Sequence, residues 1–266
     1  MDTRFWGPSG WRLLHLIATA PPRRQTREFF ELLPYVLPCK YCRASLTDYY
    51  AVDPVPSAAS SVAVTGFGPW LYRIHNRVNG KLRDQKLLKT PNPPWRKIKA
   101  DYEALYKAPC TKNAMIGWDF LYSVVYTTPC KAVPSEPLPD APPLLPTPEL
   151  RNRWNTMERD ERVRIISRWW DLVPHVLPYA SWRSAFLQGP PRPLLTTGHK
   201  HVTEWLFQVE QHICRTLHVA ANHKSFGGLC KKLSVFQSKC GSKKTRKTKT
   251  CRSKQTRRRS AFRSVV

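Results

Sequence analysis

Acid is scarce in this chain. Across 266 residues, 18 Asp and Glu stand against 44 Lys and Arg, for a formal net charge of +26. So basic a chain attracts polyanions such as nucleic acid or anionic membrane through its long-range field, although the same charge can serve solubility alone. From Gly241 to Val266 there are eleven Lys or Arg and no acid. That is less than half of the excess, so the body of the chain is itself basic. Long apolar runs are missing too, and none approaches the roughly 18 residues that a membrane span needs. LLHLIATAPP, near the start, ends in an Ala-Thr-Ala that mimics a signal-peptidase site. His15 interrupts its apolar core, and a Trp-rich FWGPSGW stands where a short basic segment belongs, so no secretion signal is expected. Eight cysteines are too few for a disulfide-built scaffold at this length. No stretch alternates convincingly as a strand would, which leaves an all-α chain.

Helical spacing is what is present. Pro8 suits a first helical position, and Trp11, Leu14, His15 and Ala18 follow on one face. Phe29, Phe30, Leu33 and Leu37 mark a second helix that Pro34 kinks or ends. Pro38-Cys39 opens a third, Pro69 a fourth carrying Leu71, Ile74, His75, Val78 and Leu82, and Pro93-Pro94 a fifth. Residues 1–109 therefore read as a small helical bundle. Prolines then crowd between Pro129 and Pro148, where regular helix cannot persist; 131–150 reads as an insertion or linker.

Beyond it the first half recurs. Gly10-Trp11-Arg12-Leu13-Leu14-His15 matches Gly117-Trp118-Asp119-Phe120-Leu121-Tyr122. FFELLPYVLPCKYCRASL from Phe29 matches WWDLVPHVLPYASWRSAF from Trp169, and WLYRIHNRVNGKL from Trp70 matches WLFQVEQHICRTL from Trp205. Three blocks in one order point to duplication, with residues 110–240 as the second copy. The apolar frame persists, while Cys39 becomes Tyr179, Cys42 becomes Trp182, His15 becomes Tyr122 and His75 becomes Glu210. A copy that keeps packing and loses reactive groups is a non-catalytic companion. Residues 241–266 read as a basic disordered tail.

Cys39-Lys40-Tyr41-Cys42 is the only C-x-x-C. Two thiols at this spacing on a helix N-terminus can close a small disulfide, and the helix dipole favours the thiolate. No second C-x-x-C or H-x-x-H accompanies it, so a zinc knuckle is not indicated and no metal is expected. The helical segment before it excludes a thioredoxin fold. His75, Asn76 and Asn79, with Lys81, form a second polar group on one helix.

Together these residues resemble the Erv/ALR family of FAD-linked sulfhydryl oxidases. The likeness rests on Trp6-Gly7-x-x-x-Trp11-x-x-x-His15, Cys39-x-x-Cys42 and His75-Asn76-x-Val78-Asn79-x-Lys81-Leu82, and covers residues 5 to about 107. It implies an Erv-like bundle holding FAD, with Cys42 facing the isoalloxazine and Cys39 exchanging with incoming thiols. Trp11, His15, His75, Asn76, Asn79 and Lys81 would contact FAD. Protein thiols or a thioredoxin-like relay would be the substrates, oxygen the acceptor and hydrogen peroxide the product. A homodimer stays open. The tandem arrangement resembles versions encoded by large DNA viruses, which implies a cytoplasmic place, in a viral factory or virion. Family members often carry a structural disulfide and a shuttle dithiol. Cys110 and Cys130 are expected not to pair, because a helix of about 15 residues between them would hold them roughly 22 Å apart.

Two other readings stand beside this one. A nucleic-acid-binding or packaging protein would use the basic tail and keep the cysteines as a structural pair. A zinc-stabilised adaptor would draw on His199, His201, His212, Cys214, His218, His223 and Cys230, a set without ligand spacing.

Overall fold

Prolines and their neighbours set most of the helix boundaries. The computed structural model describes residues 1–57, 66–108, 115–128 and 159–237. The insertion at 131–150, the tail, and Cys110, Cys130, Cys240 and Cys251 lie outside them. Every regular element among the described residues is helical.

Helix α1 spans Thr3–Thr19 and starts more than a turn before Pro8, which lies inside it. The sequence reading placed the start too late because local cues at Pro8 hid an earlier cap. The Asp2 side chain accepts from the Arg4 N–H, and the Asp2 N–H donates to the Phe236 carbonyl at 2.9 Å. A contact from the far end of the chain thus helps to seed the first turn.

Helices α2 (Thr26–Glu31) and α3 (Leu33–Val36) are separated at Leu32, with Pro34 in the first turn of α3. Helix α4 (Lys40–Val52) has Cys39 as its N-cap, in extended backbone. In α5 (Phe67–Asp84), Pro69 falls in the first turn, where its missing N–H costs nothing; α6 (Trp95–Lys107) follows Pro94 as N-cap. Helix α1 lies against α5 and α6, and α3 against α4. Trp70 anchors this half. Its ring is fully buried edge-on to Phe30, and its Nε1 donates to the Asp53 carbonyl at 3.0 Å. Arg73 forks onto the Asp53 carboxylate at 2.8 and 2.9 Å, tying α5 to the end of α4.

The remaining helices are α7 (Trp118–Thr127), α8 (Arg159–Val176), α9 (Ala180–Leu187), α10 (His199–Thr216) and α11 (Phe226–Val235). Helix α7 packs on α10, and α9 on both α8 and α10. The two halves meet where α1 lies on α7 and where α2 and α3 lie on α8. Gly10 and Gly117 allow the close approach of α1 and α7. A Cβ on Gly10 would stand 3.2 Å from the Phe120 ring, and one on Gly117 would stand 2.5 Å from Leu13 Cδ2. Nearby, Phe29 stacks on Trp169 with centroids 5.2 Å apart, and Arg168 forks onto Glu28 at 2.6 and 2.7 Å. One continuous apolar core runs through both halves.

Candidate functional site

The Pro38-Cys39 step turns the chain from α3 into α4 and places both cysteines at one helix start. The N–H groups of Cys42 and Arg43 each donate to the Cys39 carbonyl at 3.0 Å. Cys39 is 4% exposed and Cys42 is partly buried, and both stand as thiols. A hydrogen bond from the Cys42 thiol holds Cys39 well below the ordinary thiol range. Burial opposes that shift, while the Cys42 N–H and the Arg43 charge reinforce it. Cys42 moves the other way, pushed up by the same hydrogen bond, by burial and by the Cys39 charge, with Lys81 acting against them. The pair therefore shares its proton unequally: thiolate character sits on Cys39, at the helix N-terminus, and Cys42 keeps the proton.

Both cysteines line a cavity of about 590 Å³, within the usual size of cofactor sites. Its wall carries Trp11 and Leu14 from α1, Cys42 and Ser45 from α4, and Ile74, His75, Val78, Asn79 and Lys81 from α5. His75 stacks on Trp11 with centroids 3.8 Å apart and 8° between the planes. His15 sits behind it, with its Nε2 3.0 Å from His75 Nδ1 and its own ring stacked on Tyr102. Burial lowers His15 to about 4, and burial together with His15 lowers His75 to about 3. Near neutral pH both imidazoles are uncharged, so one donates to the other and the stack remains an aromatic platform. Lys81 brings a cation to the wall, and its Nζ donates to Ser45 Oγ at 2.5 Å. Asn79 Nδ2 donates to Asn92 Oδ1 at 3.1 Å.

Of the residues singled out from sequence, Trp11, Cys39, Cys42, His75, Asn79 and Lys81 line this one cavity. His15 supports it from behind. Asn76 sits on α5, partly buried, but does not line the cavity. Sequence reasoning missed Arg12, Ser45, Tyr49 and Tyr102, which also line it. Ser45 was recoverable, because it lies three residues after Cys42 on the same helix face. Tyr102 reads as one more apolar position of α6 until α1 and α6 are seen to pack together.

Flat stacking surfaces, apolar walls, a dithiol and nearby cations suit a planar, redox-active, anionic cofactor. By contrast, the described histidines and cysteines of the second half do not gather into any group able to hold a metal ion. No described helix is long and apolar enough to cross a membrane.

A model of the Erv1/Alr family matches residues 8–103. The FAD-linked sulfhydryl oxidase of African swine fever virus (isolate Warthog/Namibia/Wart80/1980) is 31% identical over 105 residues, 37% of this chain and 80% of the viral protein. The putative FAD-linked sulfhydryl oxidase of Invertebrate iridescent virus 6 is 32% identical over 94 residues, 31% of this chain and 83% of that protein. The mitochondrial FAD-linked sulfhydryl oxidase ERV1 of Saccharomyces cerevisiae is 29% identical over 92 residues, 32% of this chain; the chain spans 47% of that relative's length. No solved structure matches. The chain belongs to the Erv1/Alr family.

Proposed function

We propose that this protein is an FAD-dependent thiol oxidase that makes disulfides from protein thiols, with oxygen as acceptor and hydrogen peroxide as product. The observation that carries this reading is the convergence of a dithiol with the Trp11–His75 stack on one cavity wall. Trp11, His75, Asn79 and Lys81 would hold the FAD, with His15 behind them and Asn76 next to His75 on α5. When bound, FAD supplies the two-electron acceptor that returns the dithiol to a disulfide and passes the electron pair to oxygen. The residues of the chain do the rest. A substrate thiolate attacks Sγ of Cys39 in the Cys39–Cys42 disulfide, and Cys42 leaves as thiolate and takes up a proton. A second substrate thiolate attacks the substrate sulfur of the mixed disulfide, and Cys39 leaves. A depressed thiol pKa makes Cys39 a fast leaving group, which suits this position. The similarity to FAD-linked sulfhydryl oxidases supports the assignment.

Residues 1–109 form the catalytic unit in this reading, and 110–240 a degenerate repeat that binds no cofactor. The contact between the halves supports it. Gly10 meets Phe120 while Leu13 meets Gly117, and these two contacts exchange when each residue is replaced by its counterpart in the other repeat. Phe29–Trp169 and Glu28–Arg168 each join a position to its own counterpart. Such reciprocity is the mark of a two-fold interface between equivalent units. The second repeat would then occupy the face that a second copy of the bundle could otherwise use. The viral relatives support a place in the cytoplasm of an infected cell, at a viral factory or in the virion.

The test is direct. Purified protein is expected to be yellow, to carry one FAD per chain and to consume oxygen with a small dithiol. A colourless chain that takes up no added FAD would falsify the reading, and two flavins per chain would overturn the degenerate repeat.

A further inference from the structure

The second half holds a charged cluster, built on buried Glu210 and His223 and reaching half-exposed Asp119 and Lys232, opposite in character to the ring stack of the first. Glu210, at the position equivalent to His75, is fully buried. Its Oε2 accepts from the Tyr122 hydroxyl at 2.6 Å and lies 2.9 Å from His223 Nδ1, and its Oε1 accepts from the His223 N–H at 3.1 Å. The far side of the His223 ring continues the chain of contacts. Nε2 is 3.5 Å from Asp119 Oδ1 and 3.4 Å from Lys232 Nζ, and Lys232 donates to the same Asp119 oxygen at 2.8 Å. Four segments are joined in this way: α7 through Tyr122 and Asp119, α10 through Glu210, the loop through His223, and α11 through Lys232.

Helix α11 carries the cluster to the other half. Phe236, at its end, stacks on Phe5 with centroids 4.5 Å apart and 10° between the planes. Lys232 Nζ lies 5.1 Å from the centre of the same ring, and the Phe236 carbonyl accepts the Asp2 N–H. Phe5 belongs to the first turn of α1, and its neighbours Thr3, Arg4, Trp6 and Gly7 line the dithiol cavity.

We propose that the Glu210–His223–Asp119–Lys232 cluster is a latch: by holding α11 against the first turn of α1, it sets how tightly the cavity holds its cofactor. The affinity part rests on the flavin reading above. A fully buried carboxylate is costly unless its partners stay in place, so loss of any one of them is felt by all four segments. The latch is also sensitive to protonation. Burial works against a proton on His223, but hydrogen bonds to Asp119 and Glu210 and the Glu210 charge outweigh it, with Lys232 pushing back. The net result is a shift upward from the ordinary histidine value. A raised value in the folded state stabilises the closed latch at lower pH, and that contribution is lost as pH rises through it. Tyr122 and Cys214 complete the titratable groups around Glu210.

The experiment uses the full chain with FAD as the titrant, from pH 6 to 9, together with amide hydrogen exchange over residues 3–12. Lys232→Met and Phe236→Ala touch neither the cavity nor the dithiol. Each is expected to weaken FAD binding by roughly fivefold to tenfold and to speed exchange in the first turn of α1. Wild-type affinity is expected to fall as pH rises, and His223→Gln to flatten that dependence. Unchanged FAD affinity in both Lys232→Met and Phe236→Ala overturns the proposal. If the wild-type chain takes up no FAD, the flavin reading fails, and unchanged exchange over residues 3–12 in the two variants then overturns the latch by itself.

Discussion

Gly117→Ala is expected to be among the most damaging single-methyl changes in the protein. Gly117 caps α7 at φ +99°, a region that L side chains rarely adopt, and strain of this kind costs about 1–3 kcal/mol. The new Cβ would also stand 2.5 Å from Leu13 Cδ2 and 2.8 Å from Leu13 Cβ. Leu13 is 1% exposed and has no room to retreat, and overpacking in such a place adds about 1–3 kcal/mol. The sum, about 2–6 kcal/mol, is a large share of a typical domain's margin of about 5–15 kcal/mol. Gly10→Ala is the control. It sits inside α1, where Ala gains roughly 0.5–1 kcal/mol over Gly, and its Cβ would meet the Phe120 ring at a tight 3.2 Å. The two effects nearly offset, so Gly10→Ala is expected to stay within about 1 kcal/mol of wild type. Urea unfolding followed by tryptophan fluorescence measures both. Leu13→Ala in the Gly117→Ala background removes the Cδ2 clash but keeps the Cβ at 2.8 Å, so the double variant should lose less stability than the two single changes added together. If Gly117→Ala is as stable as wild type, or if Gly10→Ala is the more damaging, the account of how α1 meets α7 is wrong.

The other expectations concern the site and the tail. Cys42→Ser should abolish dithiol-dependent oxygen uptake, and Cys39→Ser should abolish it too while leaving Cys42 in the cavity wall; near wild-type uptake in either variant refutes the site. Alkylation of the reduced protein at Cys39 should be half-maximal below the ordinary thiol value of about 8.5, rising with pH through the depressed pKa. Arg43→Met should move that midpoint up, because one of the charges favouring the thiolate is gone. A chain ending at Cys240 should oxidise a small dithiol almost as well as the full one. Any DNA binding by the full chain should be sequence-independent, fall steeply with salt through counterion release and weaken in this truncation, and loss of oxidation with FAD still bound would assign the tail a catalytic role instead.

Much of this protein was determined by local sequence. Pro38 before Cys39, Pro34 after the Phe29-Phe30 pair, and Pro93-Pro94 before Trp95 act within one or two residues, because proline restricts its own backbone and its neighbour's. The helical spacing of Leu71, Ile74, His75, Val78 and Leu82 predicted an inward face; Leu71 and Ile74 are buried and the other three are half-buried. The cysteine pair was legible for the same reason, since a C-x-x-C at a helix start is a local object. What depended on distance was not legible. Phe236, more than two hundred residues away, holds the first turn of α1, a contact that neither Pro8 nor the Asp2 cap announces. Tyr102 and His15 are apolar-face positions on separate helices until α1 and α6 pack, and only then do their rings stack. His75 looked like a polar helix edge, and it is the fold that removes its water and presses it onto Trp11, making an aromatic surface of an ionisable ring. Glu210 seemed a lost site residue, yet tertiary structure surrounds it with Tyr122 and His223 and makes it the centre of a charged cluster. Periodicity states which side chains turn inward; which of them meet there is decided when the helices pack, because burial and electrostatics depend on every neighbour at once.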